Sequence, residues 1–103
     1  MLTVVTVTYN SAAVLPEFIA SAQRQTYSDF ELLFVDNNST DDTRAITTAI
    51  NDPRFRLIAN EGNLGFTKGC NQGIRHAQQT GSPLVLLINN DTTFPPDLFA
   101  NLV

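Results

Sequence analysis

Cysteine is nearly absent: Cys70 stands alone in 103 residues. That excludes an intrachain disulfide framework and a cysteine-based zinc site. Long apolar runs are also missing. The longest is the five residues Leu84 to Ile88, far short of a membrane span. Charge is sparse at 16%, and basic charge scarcer still, with Lys+Arg 6 against Asp+Glu 10 and a net charge of -4. Such a balance argues against a general nucleic-acid binder. No G-x-G-x-x-G follows the first apolar stretch, and no Walker GKS or GKT occurs. Repeats, linkers and low-complexity tracts are lacking too. The N-terminal stretch MLTVVTVTYN has no basic region and no long apolar run. No signal peptide is therefore expected, and a cytoplasmic location is the default.

What remains is an ordinary globular composition, 43% apolar, enough for one domain with its own core. Leu2 to Tyr9 is β-branched almost throughout and reads as a central strand. Ala13 to Gln25 places Val14, Leu15, Phe18, Ile19 and Ala22 at helical spacing, with Pro16 in the first turn. Phe30 to Val35 is a second strand. A helix from Asp41 to Ile50 follows, with Ser39, Thr40 or Asp41 as its N-cap. Phe55 to Ala59 alternates more and reads as a strand nearer an edge. Phe66 to Gln79 is a third helix with Cys70, Ile74 and Ala77 inward. Leu84 to Ile88 is uninterrupted and apolar, which predicts a strand buried on both faces. Pro95 and Pro96 open a fourth helix, Pro96 to Leu102. This alternation of strands and helices predicts an α/β domain with a parallel, Rossmann-like sheet.

Three strand ends carry polar clusters: Thr8-Tyr9-Asn10-Ser11, Asp36-Asn37-Asn38-Ser39 and Asn89-Asn90-Asp91-Thr92. In an open α/β sheet the crevice beyond these ends is where ligands bind. Asn and Asp also end strands for turn chemistry alone. Three such clusters on one rim favour a site. A tyrosine beside Asp36 suits a nucleobase, the ring stacking and the carboxylate accepting an N–H. Asp91 is a hard oxygen ligand suited to Mg²⁺ or Mn²⁺, with a diphosphate completing the shell. Lys68 and His76 read as solvated side chains and Cys70 as core.

In order, Val7-Thr8-Tyr9-Asn10, Gln25, Phe34 to Asp41, Asn60 to Phe66 with Asn71 to Ile74, and Leu87 to Thr92 run along nearly the whole chain. Together these motifs resemble the inverting family 2 glycosyltransferases of the GT-A fold. The resemblance implies a sheet of about four strands in order 3-2-1-4 with helices on both faces. It implies that Thr8, Tyr9, Asn10, Asp36, Asn38, Asn60, Gly65, Asn71, Asn89 and Asn90 bind a nucleotide-sugar, UDP- or dTDP-linked. Asp91 would take Mn²⁺ or Mg²⁺. Asn89 stands where the family's DXD motif has its first aspartate. Cys70 precedes Asn71 where many members have arginine, a feature of a rhamnosyltransferase-like branch. The family's catalytic base and acceptor site lie further along the chain than Val103.

Residues 1–103 are thus expected to be the donor part of a glycosyltransferase, without the acceptor half and inactive alone. The acceptor would be a saccharide or a lipid-linked molecule, and the complete enzyme would lie against the membrane. A non-catalytic nucleotide-binding module is the alternative. A phosphoacceptor domain would need an acidic pair after the first strand, where Tyr9-Asn10 stands. The uncharged Leu84–Ile88 edge is expected to pair with a second copy as a homodimer.

Overall fold

A computed structural model describes residues 1–103. The elements in chain order are β1 (Leu2–Thr8), α1 (Leu15–Gln23), β2 (Phe30–Asp36), α2 (Thr43–Thr48), β3 (Phe55–Ala59), α3 (Phe66–Thr80), β4 (Leu84–Leu87) and α4 (Leu98–Leu102). They form one parallel sheet in the order β3-β2-β1-β4. Thr8 sits in register with Asp36, and Asp36 with Ala59. All four strands therefore end on one rim.

The sheet separates two cores. On one face Leu2, Val4, Leu32 and Phe34 meet Leu15, Phe18, Ile19 and Ala22 of α1 and Phe99 of α4. Ile46 and Ile50 join them from α2 and the turn after it. Aromatic rings meet edge-on there, Phe30 with Phe99 at 4.9 Å and Phe18 with Phe94 at 5.8 Å, a favoured arrangement for their quadrupoles. On the other face Val5, Leu33 and Val35 form a smaller cluster. There α3 lies close to the sheet. A Cβ on Gly73 would overlap the methyl groups of Val5, and one on Gly69 would press on Val7. Only glycine permits this approach.

Gln25 pins the returning chain. Its Nε2 donates to the Pro95 carbonyl at 2.7 Å, and the Phe99 N–H donates to its Oε1 at 2.9 Å. The Thr26 N–H reaches the Pro96 carbonyl at 2.9 Å. The prolines therefore precede the last helix, which starts at Leu98 with Asp97 as N-cap. Similarly, the N-cap of α2 is Asp42 and makes no side-chain cap bond. Ser39 and Thr40 serve the loop instead, while Asp41 Oδ1 accepts from the Thr43 N–H at the start of α2.

The fourth strand lies at the sheet edge, as the 3-2-1-4 order implies, but it is not buried on both faces. Leu84, Val85 and Leu87 are 41%, 39% and 45% exposed. For Val85 and Leu87 the reason is where α3 docks: its glycines seat it over β1 and β2. Leu86 and Ile88 pack against the large core on the opposite face. His76 also differs from a solvated residue: its Nε2 lies 2.6 Å from Glu31 on β2.

Candidate functional site

Asp36 organises the rim. Its side chain is fully buried, yet every acceptor position is used. Oδ1 accepts from the Thr8 hydroxyl at 2.7 Å and the Ser39 hydroxyl at 2.6 Å. Oδ2 accepts from the Ser39 N–H at 2.9 Å and Arg44 Nε at 2.7 Å. Burial by itself raises this carboxyl's pKa. The bonds from Ser39, Arg44 and Thr8 outweigh it and hold Asp36 below the usual aspartate range. Arg44 reaches on to the Asn60 carbonyl, and the Asn60 N–H donates to the Asp36 carbonyl at 2.8 Å. The ends of β2 and β3 are thus clamped together.

The loops after β1 and β2 are tied as well. Asn10 and Asn38 take left-handed backbone conformations, φ 49 and φ 67, which asparagine tolerates better than most residues. The Asn10 carboxamide oxygen accepts from the Thr40 N–H at 2.8 Å, and its own N–H donates to Ser39 Oγ at 2.8 Å. Asp41 accepts from the Thr43 hydroxyl and from the Ala12 N–H. The Thr43 hydroxyl bond is the chief reason its carboxyl is held low. Tyr9 projects beside these loops, 51% exposed.

Asn60 is buried in an amide cluster. Its Nδ2 donates to Asn37 at 3.0 Å and to Gln72 at 2.8 Å, and its Oδ1 accepts from Gln72 at 2.8 Å. Asn37 in turn donates to the Gly65 carbonyl at 3.1 Å. Gly65, at φ 86, is the N-cap of α3. This backbone conformation is strained for any L side chain.

On the far side of the rim, Asn90 Nδ2 donates to the Val7 carbonyl at 2.8 Å, anchoring the turn after β4 to β1. Asn89 and Asp91 point to solvent. Asp91 lines a cleft of about 240 Å³ with Thr92, Thr93 and the start of α1: Ala13, Val14 and Glu17. No group of three or more His, Cys, Asp or Glu side chains converges to hold an ion. The donor set here is carboxylate oxygen, which fits a hard cation whose other ligands a diphosphate and water supply.

Thr8, Asp36 and Asn60 therefore meet, with Asn10 and Asn38 in the adjoining loops. Asn71 does not join them. It lies on the exposed side of α3, in a groove with Leu64, Lys68, Gln72 and Arg75. Sequence reasoning missed Arg44, Gln72 and Glu17. Arg44 stands eight residues beyond Asp36 inside a helix, and no motif marks it. Asn37 and Gln72 lay inside the matched motifs, but their meeting at Asn60 required the fold.

The rim and the 3-2-1-4 sheet together define a GT-A, Rossmann-like domain, the class of fold that solved neighbours share. S. aureus TarS 1-349 in complex with UDP-GlcNAc superposes with a TM-score of 0.81 at 24% identity, covering 98% of this chain and 29% of that one. The mannosyltransferase PcManGT from Pyrobaculum calidifontis, in complex with GDP-Man and Mn²⁺, gives 0.82 at 27% identity, covering 97% and 30%. The particular family follows from sequence: the Glycosyl transferase family 2 profile matches residues 3–103, and the chain belongs to that family. The succinoglycan biosynthesis protein ExoO of Rhizobium meliloti is 36% identical over 101 residues, 98% of this chain and 28% of that protein. A PGL/p-HBAD biosynthesis glycosyltransferase of Mycobacterium bovis is 36% identical over 99% of this chain and 40% of its own length. The Escherichia coli UDP-Glc:alpha-D-GlcNAc-diphosphoundecaprenol beta-1,3-glucosyltransferase WfgD is 30% identical over 75% of this chain and 30% of its own length. The chain thus spans about a third of the length of these relatives. No helix is long and apolar enough to cross a membrane.

Proposed function

We propose that residues 1–103 are the donor-binding part of an inverting glycosyltransferase that uses a UDP- or dTDP-linked sugar. The observation that carries this reading is the common rim. Parallel β1, β2 and β4 deliver Thr8-Tyr9, Asp36 and Asn89-Asn90-Asp91 to the same end of the sheet. Tyr9 offers an exposed ring for a base. Asn10 and Asn38 border it, and Asn60, Gly65 and Asn71 extend the nucleotide side along β3 and α3. Asp91 would hold Mn²⁺ or Mg²⁺, which when bound neutralises the charge of a departing diphosphate. A bound cation in complex with PcManGT supports that assignment. Opposite Asp91, Glu17 keeps the same cleft acidic.

The relatives' names support a saccharide or lipid-linked acceptor and work at a membrane surface. Cys70 before Asn71, with Asn89 in the first place of the DXD-like triplet, supports a rhamnosyltransferase-like branch. Calorimetric titration of UDP and dTDP with and without Mn²⁺ tests the reading. Both are expected to bind weakly, and more tightly with metal. Asp36→Ala weakens binding with or without Mn²⁺, whereas Asp91→Ala removes mainly the metal-dependent part. Equal loss of the metal effect in both variants contradicts these separate roles.

A further inference from the structure

The surface carries two clefts, and they are opposite in charge. The one at Asp91 and Glu17 is acidic and belongs to the site described above. The other, of about 330 Å³, runs along α3 and is lined by Leu64, Lys68, Asn71, Gln72 and Arg75. Of these, only Asn71 enters the nucleotide reading. Lys68, Asn71 and Arg75 stand at i, i+3 and i+7 of one helix and so share a face. The two cations are two turns apart, about 10 Å along the axis.

Neither cation is neutralised. The chain has six Lys and Arg residues. Arg44, Arg54 and Arg56 pair with Asp36, Asp52 and Glu31. Lys68 and Arg75 have no carboxylate partner. The sequence gives the reason: no Asp or Glu occurs between Gly62 and Asn90, in a chain that holds ten of them. A solvated helix face supports its cations with carboxylates four residues away. Here those places hold Leu64, Gln72, Asn71 and Gln79. Lys68 also lies in the first turn of α3, with no acidic residue there, where the helix dipole opposes a cation.

We propose that this groove is a phosphate-binding site, separate from the nucleotide's own diphosphate. Arg75 offers a planar fork to two phosphate oxygens, Lys68 neutralises remaining charge, and the exposed Asn71 carboxamide donates between them. Leu64, 43% exposed in the groove wall, gives an apolar contact for the carbon side of a phosphoester. The separation follows from the sheet. Leu64 belongs to the loop after β3 and Asp91 to the turn after β4, and these strands are its opposite edges. Three strand spacings amount to about 14 Å, farther than one diphosphate spans. The site stands on the groove's own charge, whether or not a nucleotide binds the rim. A phospholipid headgroup and a soluble phosphorylated ligand present the same oxygens to it.

The test is an amide NMR titration of the 103-residue chain with pyrophosphate, without divalent metal. Saturable shifts are expected at Lys68, Asn71 and Arg75, and not at Asn89 to Asp91. Lys68→Gln/Arg75→Gln alters two exposed side chains and should fold normally. It should lower pyrophosphate affinity by about tenfold or more, the scale of a charge-assisted hydrogen bond, and leave UDP binding with Mn²⁺ at the wild-type level. Arg75→Lys, which keeps the charge without the fork, should fall between. Phosphatidylcholine vesicles with and without phosphatidylglycerol distinguish the sources. Co-sedimentation of wild type, but not the double variant, with the anionic vesicles alone assigns a headgroup. Pyrophosphate binding without co-sedimentation assigns a soluble ligand. Absence of saturable shifts, or equal affinity in wild type and double variant, overturns the inference and leaves the nucleotide reading intact. Equal loss of pyrophosphate and of UDP in the double variant overturns the separate site. Pyrophosphate bound in the groove of a chain that binds no nucleotide upholds the inference and removes the nucleotide reading.

Discussion

Asp36 keeps its charge below the surface because four donors converge on it, and that has a pH consequence. Its folded pKa is depressed, so the stability it contributes is present above the ordinary value of 3.8 and is lost as pH falls through the folded value. Asp52 acts in the same sense, held low chiefly by its bonds from Arg54. Urea unfolding at a series of pH values between neutral and strongly acid should show stability falling in that acid window. Asp36→Asn should make the fall shallower without abolishing it, because Asp52 still titrates. An unchanged acid slope in that variant would show that Asp36 is not held low. Gly73 is the other residue whose identity is forced. Gly73→Ala drives a methyl into Val5 and should cost about 1–3 kcal/mol, as overpacked cores do. Combining it with Val5→Ala should recover part of that loss. Strict additivity in the double-mutant cycle would disprove the clash.

Among the elements, β4 stands apart. Its outer edge carries unpaired N–H and C=O groups, with Leu84, Val85 and Leu87 exposed and no charge or proline within it. Natural edges are blunted by such residues to prevent strand pairing. Self-association through this edge is therefore expected, most simply as a two-fold dimer. Light scattering over a concentration series should show it. Val85→Lys or Leu87→Lys, which places a charge on the edge, should shift the chain toward monomer. A strictly monomeric wild-type chain at high concentration would sink this expectation. By contrast, α3 is fixed firmly, by its glycines against Val5 and Val7 and by Gln72 bonded to Asn60. That bond couples α3 to the rim.

As a whole the chain has a Cα radius of gyration of 12.7 Å, the value of about 13 Å expected for a folded domain of this length. On the proposed reading its rim supplies donors for a nucleotide and one carboxylate, Asp91, for a cation. An inverting transfer also needs a base that deprotonates the acceptor hydroxyl, which the family resemblance assigns to an acceptor part distinct from this donor part. Incubation of residues 1–103 with a nucleotide-sugar and saccharide acceptors should yield no transfer product, slow hydrolysis of donor aside. Robust transfer by the purified chain alone would refute the division into donor and acceptor parts.

The order of elements was legible from residue pattern alone, because β-branched runs and helical spacing are local properties. Leu2–Thr8 reads as a strand wherever it is placed, and the parallel sheet follows from its alternation with helices. The polar strand ends marked the rim for the same reason. Burial of β4 was not legible. Its apolar run looks like a core strand, but its exposure depends on α3 sitting over β1 and β2, a packing decision made by Gly69 and Gly73. Nor could the sequence say that Asp36 would be saturated, with the half-buried Arg44 among its donors. Residues eight apart in sequence carry no local signal of pairing. Only the docking of α2 beside β3 brings Arg44 to Asp36 and the Asn60 carbonyl at once.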